Sequence, residues 1–274
     1  MSYPFQIVDV FAEKQLAGNQ LAIVRNAAGL TTQQMQDIAL ETNYSETTFV
    51  VEESQGHAKV RIFTPGHELP FAGHPTLGTA WALTAGQGEI TLQLGVGPVT
   101  VKFIDGIAWM IPPPVSFLGE CPRIQAARLL GLDEHDILNE TPVELAEVGP
   151  QFLLIPLKDL DALRRARLQT EHHARLRKDG FNGVFLFTSD SYGDDADFAS
   201  RMFFDAAGVR EDPATGSANA AFAAYLKKYK GDIGDVVVDQ GVEINRPSRI
   251  YLKVAETLQV GGRVFSVVSG TLDI

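Results

Sequence analysis

The chain has 274 residues, 45% of them hydrophobic and 21% charged, the composition of a globular protein with one large or two modest domains. Thirty-four acidic against 23 basic side chains give a net charge of -11, which argues against a nucleic-acid partner. The single cysteine, Cys121, excludes an intramolecular disulfide, a cysteine-based zinc site and a two-thiol racemase mechanism.

The opening stretch, Met1 to Phe5, has no basic segment and no long apolar run, and no stretch suits a bilayer span. A cytoplasmic protein without a membrane partner is therefore expected. Phe5 to Val10 alternates as a strand does, and Ala17-Gly18-Asn19 turns the chain into a second strand, Leu21 to Val24. Thr31 with Gln34 forms a capping box for a helix running to about Glu41. Thr47 to Val51 and Val60 to Phe63 are β-branched and aromatic, hence strands, and Pro65-Gly66 is a turn. An apolar helix follows, then a meander of Ile90 to Leu94, Val99 to Phe103 and Ile107 to Ile111.

Pro112-Pro113-Pro114 tolerates neither helix nor central strand and marks a linker, giving an N-terminal lobe 1–114 and a C-terminal lobe 115–274. Beyond it Pro122 to Leu130 is helical, and Val143 to Val148 and Phe152 to Ile155 are strands joined by Gly149-Pro150. Leu160 to Asp179, with its His172-His173 pair, forms a basic amphipathic surface segment of two helices. Val184 to Phe187, Phe198 to Phe204, Val236 to Asp239, Arg249 to Val254 and Leu258 to Ser269 are strands, the last with a hairpin turn at Gly261-Gly262. The lobe that takes this last strand is left open. Each half mixes strands with one central apolar helix. The fold class is therefore α+β, two pseudo-symmetric lobes, each a mostly antiparallel sheet wrapped around a central helix.

One stretch occurs twice. Arg61-Ile62-Phe63 leads into Gly73-His74-Pro75 and an apolar helix; Arg201-Met202-Phe203 leads into Asp212-Pro213-Ala214-Thr215-Gly216-Ser217 and another. Aligned on proline and glycine, His74 faces Asp212, Gly78 faces Gly216 and Thr79 faces Ser217. Asp212 suits an N-cap and Pro213 a first helical position. Gly73, Gly78, Thr79, Gly216 and Ser217 then lie near helix N-termini, which favour a bound anion. Gln240-Gly241 adds a polar loop, and Ser45 and Glu46 precede the third strand.

No nucleotide-binding, zincin or hydrolase signature is present. Glu46, His74 and Asp212 are the candidate catalytic groups. A carboxylate shielded at a strand end suits proton transfer, whereas an exposed turn glutamate is the plain alternative. A histidine that merely caps a helix and an aspartate that merely N-caps one are the alternatives for the other two. The chemistry suggested is an anionic small molecule held in a cleft by backbone donors while a side-chain base moves a proton, with no metal and no cofactor.

At these residues the chain resembles the phenazine-biosynthesis-like, PhzF-type isomerase family. The matches are Gly18-Asn19, Asn43 to Phe49, Arg61 to Pro65, Glu68 to Thr76, Glu211 to Ala218, and Gln240-Gly241 with Arg246-Pro247-Ser248. The resemblance implies a diaminopimelate-epimerase-like fold, an active site between the lobes, a homodimer and cofactor-independent isomerisation of a dihydro-hydroxyanthranilate-like acid. It carries the proton shuttle onto Glu46, with His74 and Asp212 assisting. An epimerase or racemase of a small acid, and a non-catalytic binding protein, are the competing functions.

Overall fold

The computed structural model describes residues 1–169, 171, 183–205 and 209–274. Two compact units emerge: Met1–Pro112 with Gln259–Ile274, and Pro113–Leu258. The His172-His173 pair and most of the basic segment beyond Leu168 lie outside the described residues.

In the first unit β1 (Ser2–Val10) and β2 (Asn19–Val24) pair antiparallel, from Phe5 opposite Val24 to Val10 opposite Asn19. The capping box at Thr31 and Gln34 starts α1 (Thr32–Thr42), and Asn43 ends it with a left-handed backbone. This crossover returns the chain to β3 (Glu46–Ser54), parallel to β2, with Leu21 opposite Glu46. β4 (His57–Phe63) runs antiparallel to β3, and the short β5 (Glu68–Leu69) pairs with its end. Then come α2 (Gly73–Thr84), β6 (Glu89–Leu94) parallel to β4, and β7 (Gly97–Ile104) and β8 (Ile107–Met110) as a meander.

The end of the chain completes this unit. β17 (Gln259–Gly262) pairs with β8, and β18 (Val264–Asp273) pairs with β1 from Val10 opposite Val264 to Ser2 opposite Asp273. The last strand therefore belongs to the first unit, and a lobe spanning the whole of 115–274 gives way to one ending at Leu258. Gly261-Gly262 is no hairpin turn. A Cβ on Gly261 would fall 2.6 Å from the Trp109 ring, and one on Gly262 would fall 2.3 Å from the Phe11 ring. Both glycines admit aromatic rings against a strand. The sheet packs α2 against β1, β2, β3, β6, β7, β8 and β18, and Gly73 to Ala80 are all buried.

The second unit repeats this grammar. β9 (Ser116–Cys121) pairs with β10 (Val143–Glu147), and β10 with β11 (Gln151–Pro156). α3 (Arg123–Leu130) and α4 (Leu160–Arg165), the latter capped by Asp159, bury Leu129, Leu130 and Leu163 against Leu153, Ile155, Val184 and Leu186. β12 (Gly183–Thr188) lies parallel to β11, and β13 (Phe198–Asp205) antiparallel to β12. β14 (Val209–Asp212) pairs with β13, β15 (Gly234–Gln240) runs parallel to it, and β16 (Ser248–Val254) closes the order. The central helix, α5 (Gly216–Lys230), sets Phe222 and Tyr225 against Phe185, Phe187 and Phe198.

Strand register corrects the alignment of the repeat. Phe63 faces Glu68 and Ile62 faces Leu69; likewise Phe203 faces Glu211 and Met202 faces Asp212. The helices begin at Gly73 and Gly216. Leu69 is thus the counterpart of Asp212, and Ser217 that of His74. Proline and glycine misled the sequence match because proline is tolerated both before a helix and in its first turn. For the same reason Asp212 is not an N-cap: it ends a strand, and Thr215 occupies the cap position.

Each unit also carries an arginine fork across its short strand. Arg61 Nε and Nη2 reach Glu68 at 2.7 and 2.6 Å, and Arg201 Nε and Nη2 reach Glu211 at 2.8 and 2.7 Å. The first pair is 27% and 40% exposed, the second 4% and 10%, and Arg201 also donates to the Leu163 and Ala166 carbonyls. Removing one member of a buried pair strands its partner's charge, at about 3–5 kcal/mol. An exposed pair is worth about 0–1 kcal/mol. Arg201→Met is expected to lower the unfolding free energy extrapolated from urea titration by an amount in the first range and Arg61→Met by one in the second; equal losses would contradict this.

Candidate active site

Glu46 and His74 meet in the first unit. Glu46 opens β3 just after the α1 C-cap, and His74 is the second residue of α2. Glu46 Oε2 lies 3.4 Å from His74 Nε2, and the two side chains are 16% and 4% exposed. A buried hydrogen bond of 2.9 Å between the Thr48 and Thr79 hydroxyls ties β3 to α2 beside them, and Thr42 and Thr47 share another of 2.7 Å at the strand entry. On its other side the ring lies 3.4 Å from Asn19, Nδ1 to Nδ2. Burial drives the His74 pKa down to about 3, against the opposing effect of a backbone hydrogen bond to Gln20. The imidazole is therefore neutral at neutral pH.

Gly73 is the first helical residue, and Ala72 at the cap offers no side-chain acceptor. The first-turn N–H groups are thus without a side-chain cap, the condition for holding an anion. Gly78 and Thr79, expected as ligand contacts, also hold α2 against the sheet. Gly78 lies beyond the first turn, where its N–H belongs to the helical ladder. A Cβ there would fall 2.6 Å from Leu21 and 2.8 Å from Val10, so this glycine lets α2 approach the β1–β2 pair. Thr79 spends its hydroxyl on Thr48. Ser45 sits half-buried in the bend before Glu46.

The second unit holds Asp212, Gly216, Ser217, Gln240 and Gly241. Asp212 Oδ2 accepts from the Thr215 hydroxyl at 2.6 Å. Gly216 and Ser217 begin α5, whose cap residue Thr215 makes no side-chain cap hydrogen bond. Gln240 is fully buried and clamps the turn. Its Nε2 donates to the Asp212 carbonyl at 2.9 Å, and its Oε1 accepts from Thr215 N and Asn219 Nδ2 at 3.3 and 3.1 Å. Gly241 has φ 75°, and a Cβ on it would fall 2.6 Å from the Pro213 carbonyl oxygen. Both residues expected to touch substrate thus support the Asp212–Thr215 turn.

Sequence reasoning passed over Asn19 as a side chain, and over Thr48, Thr215 and Asn219. The last carried a signal, an amide inside an alanine-rich helix. A cavity of about 210 Å³ lined by Phe187, Phe198, Tyr225 and Tyr229 involves none of the expected site residues. Asp133, His135 and Asp136 gather ligand-type atoms, but Asp136 is held by Arg165 at 2.8 and 3.2 Å.

The family profile described as phenazine biosynthesis-like protein matches residues 8–270. The chain belongs to this family. It is 36% identical over 277 residues to the trans-2,3-dihydro-3-hydroxyanthranilate isomerase of Pseudomonas aeruginosa, covering 97% of this chain and 95% of that one. An uncharacterized isomerase of Mesorhizobium japonicum is 36% identical over 299 residues, covering 98% of each. A PhzF-family crystal structure from Bacillus anthracis superposes with a TM-score of 0.89 at 26% identity and 100% coverage of both chains. The fold is therefore the one the resemblance implied, and this PhzF-family chain is an isomerase. Among its described residues no helix is long and apolar enough to cross a membrane.

Two consequences follow for stability. The unfolded chain protonates His74 near 6.5 and the folded chain near 3, so between these values the unfolded state binds more protons. Stability is full above 6.5 and falls as pH drops toward 3. The urea midpoint of the wild type should therefore decline more steeply between about pH 6.5 and 4.5 than that of His74→Gln; parallel profiles would count against a buried neutral ring. Gly241→Ala, which forces a side chain into a left-handed backbone against a carbonyl, should cost at least about 1 kcal/mol in the same assay.

Proposed function

We propose that this protein moves a proton within a small cyclic carboxylate, with Glu46 as the carrier and without a metal or redox cofactor. The observation that carries the reading is a carboxylate 3.4 Å from a buried, neutral imidazole, on the sheet that surrounds an uncapped helix start. Glu46 takes a proton from a ring carbon, the C–H electron pair shifts through the adjacent unsaturation, and the protonated carboxyl returns its proton to a second carbon. Electrons and protons balance within the substrate, so the step needs no external redox partner. His74 faces the Glu46 carboxylate with a neutral ring. The N–H groups at the start of α2 suit the substrate carboxylate. An acid of the dihydro-hydroxyanthranilate type carries such a carboxylate. The name of the Pseudomonas aeruginosa relative supports that substrate class. We also propose a homodimer, on the family resemblance alone; light scattering at the mass of one chain would refute it.

The decisive experiment follows turnover of trans-2,3-dihydro-3-hydroxyanthranilate in deuterated water. Wild type should place deuterium in the product, and Glu46→Gln should bind the substrate yet lose at least about a hundredfold in kcat. Undiminished turnover by Glu46→Gln removes Glu46 from the mechanism. Binding without turnover or exchange by the wild type points instead to a different acid or to a binding protein.

A further inference from the structure

The ring of His74 has unlike neighbours at its two nitrogens, and they decide which nitrogen carries the proton. Nε2 faces Glu46 at 3.4 Å and has no formed hydrogen bond among the described residues. The Asn19 amide nitrogen, a donor, lies 3.4 Å from Nδ1. Asn19 donates to a bare Nδ1 and leaves the proton on Nε2. Asn19 is itself buried at 1% exposure and fixed at the start of β2 opposite Val10. Its amide is thus held where water cannot replace it.

We infer that Asn19 is a positioning residue that keeps His74 in its Nε2–H tautomer, so that the ring donates toward the Glu46 carboxylate and leaves it ready to accept a proton. Without the amide donor, nothing holds Nδ1 bare and the proton is free to settle there. Nε2 then presents a lone pair to Glu46, which holds a proton on the carboxyl and removes the base. The inference rests on Glu46 as the proton carrier, but its first test does not use activity.

The other charged groups on the elements around this pair are engaged elsewhere or lie at an exposed strand end. Asp9 on β1 accepts from the Leu16 N–H at 2.7 Å. Glu52 and Glu53 at the far end of β3 pair with Lys59 and Arg25, and Glu89 on β6 pairs with Lys102 on β7. Asp273 lies at the exposed end of β18. Glu46 is thus the carboxylate paired with the ring.

The test is nitrogen-15 NMR of the imidazole at pH 7 in the wild type, Asn19→Ala and Asn19→Asp, with His74→Gln identifying the resonances. The wild type should show protonated Nε2 and bare Nδ1. Both variants should show a proton on Nδ1; the near-isosteric Asn19→Asp, which places an acceptor where the donor was, serves where the alanine variant does not fold. In kinetics the variants should lose tenfold or more in kcat/KM on the acid side of the profile and recover toward alkaline pH. A purely structural role would give a loss independent of pH. A wild-type ring protonated on Nδ1, variants that keep Nε2–H, or a tautomer change with an unshifted profile would each overturn the inference. Loss of activity in Glu46→Gln alongside any of these leaves Glu46 standing as the carrier, so the two readings fail separately.

Discussion

The constraint on which the first unit depends is a helix start with no solvent face. Strands surround α2 so completely that Gly73 to Ala80 are all buried. Only small or apolar side chains fit such a helix, which is why Gly78 lies against Leu21 and Val10 and why Thr79 must find a hydroxyl partner inside. Any titratable group admitted there loses its water. His74 is admitted, and its ring is neutral as a result. Fold and chemistry are thus set by one fact: the same closure that buries the helix strips charge from its histidine.

The second unit applies the same backbone plan to different side chains. The arginine fork, the short paired strand and the uncapped helix start recur, yet Leu69 stands where Asp212 does and His74 where Ser217 does. The scaffold therefore fixes a helix N-terminus in each unit, and substitution at a few positions around it sets whether that terminus carries a base, a hydroxyl or a carboxylate. Gln240 illustrates the support this needs. One buried amide joins the turn after β14 to the second residue layer of α5, and Gly241 lets the following loop pass against Pro213.

Glu46 and His74 were legible as candidates because local rules expose them, a carboxylate at a strand entry and a histidine at a helix start. The strands, α1 with its capping box and the meander were legible for the same reason, since period and caps are local properties. What failed was non-local. Pairing of Gly261-Gly262 with β8, rather than with a hairpin partner, depends on Trp109 and Phe11, some 150 and 250 residues earlier in the chain. The repeat slipped because proline and glycine outweigh strand register in a sequence match, whereas register is set by partners the sequence does not display. Asn19 stood in a recognised turn, but only the β1–β2 pairing and the packing of α2 bring its amide to a histidine ring.

A neutral histidine beside a candidate base is chemically apt. An imidazolium at 3.4 Å would stabilise the carboxylate and weaken it as a base, and after proton transfer it would face a neutral acid it no longer attracts. A neutral ring avoids both effects. With Asn19 as the donor at Nδ1, it keeps its proton on Nε2 and faces the carboxylate without carrying charge into a dry interior. Burial, which excludes the charged ring, is thus compatible with proton traffic on Glu46, because the proton passes between carboxylate and substrate and not onto the ring.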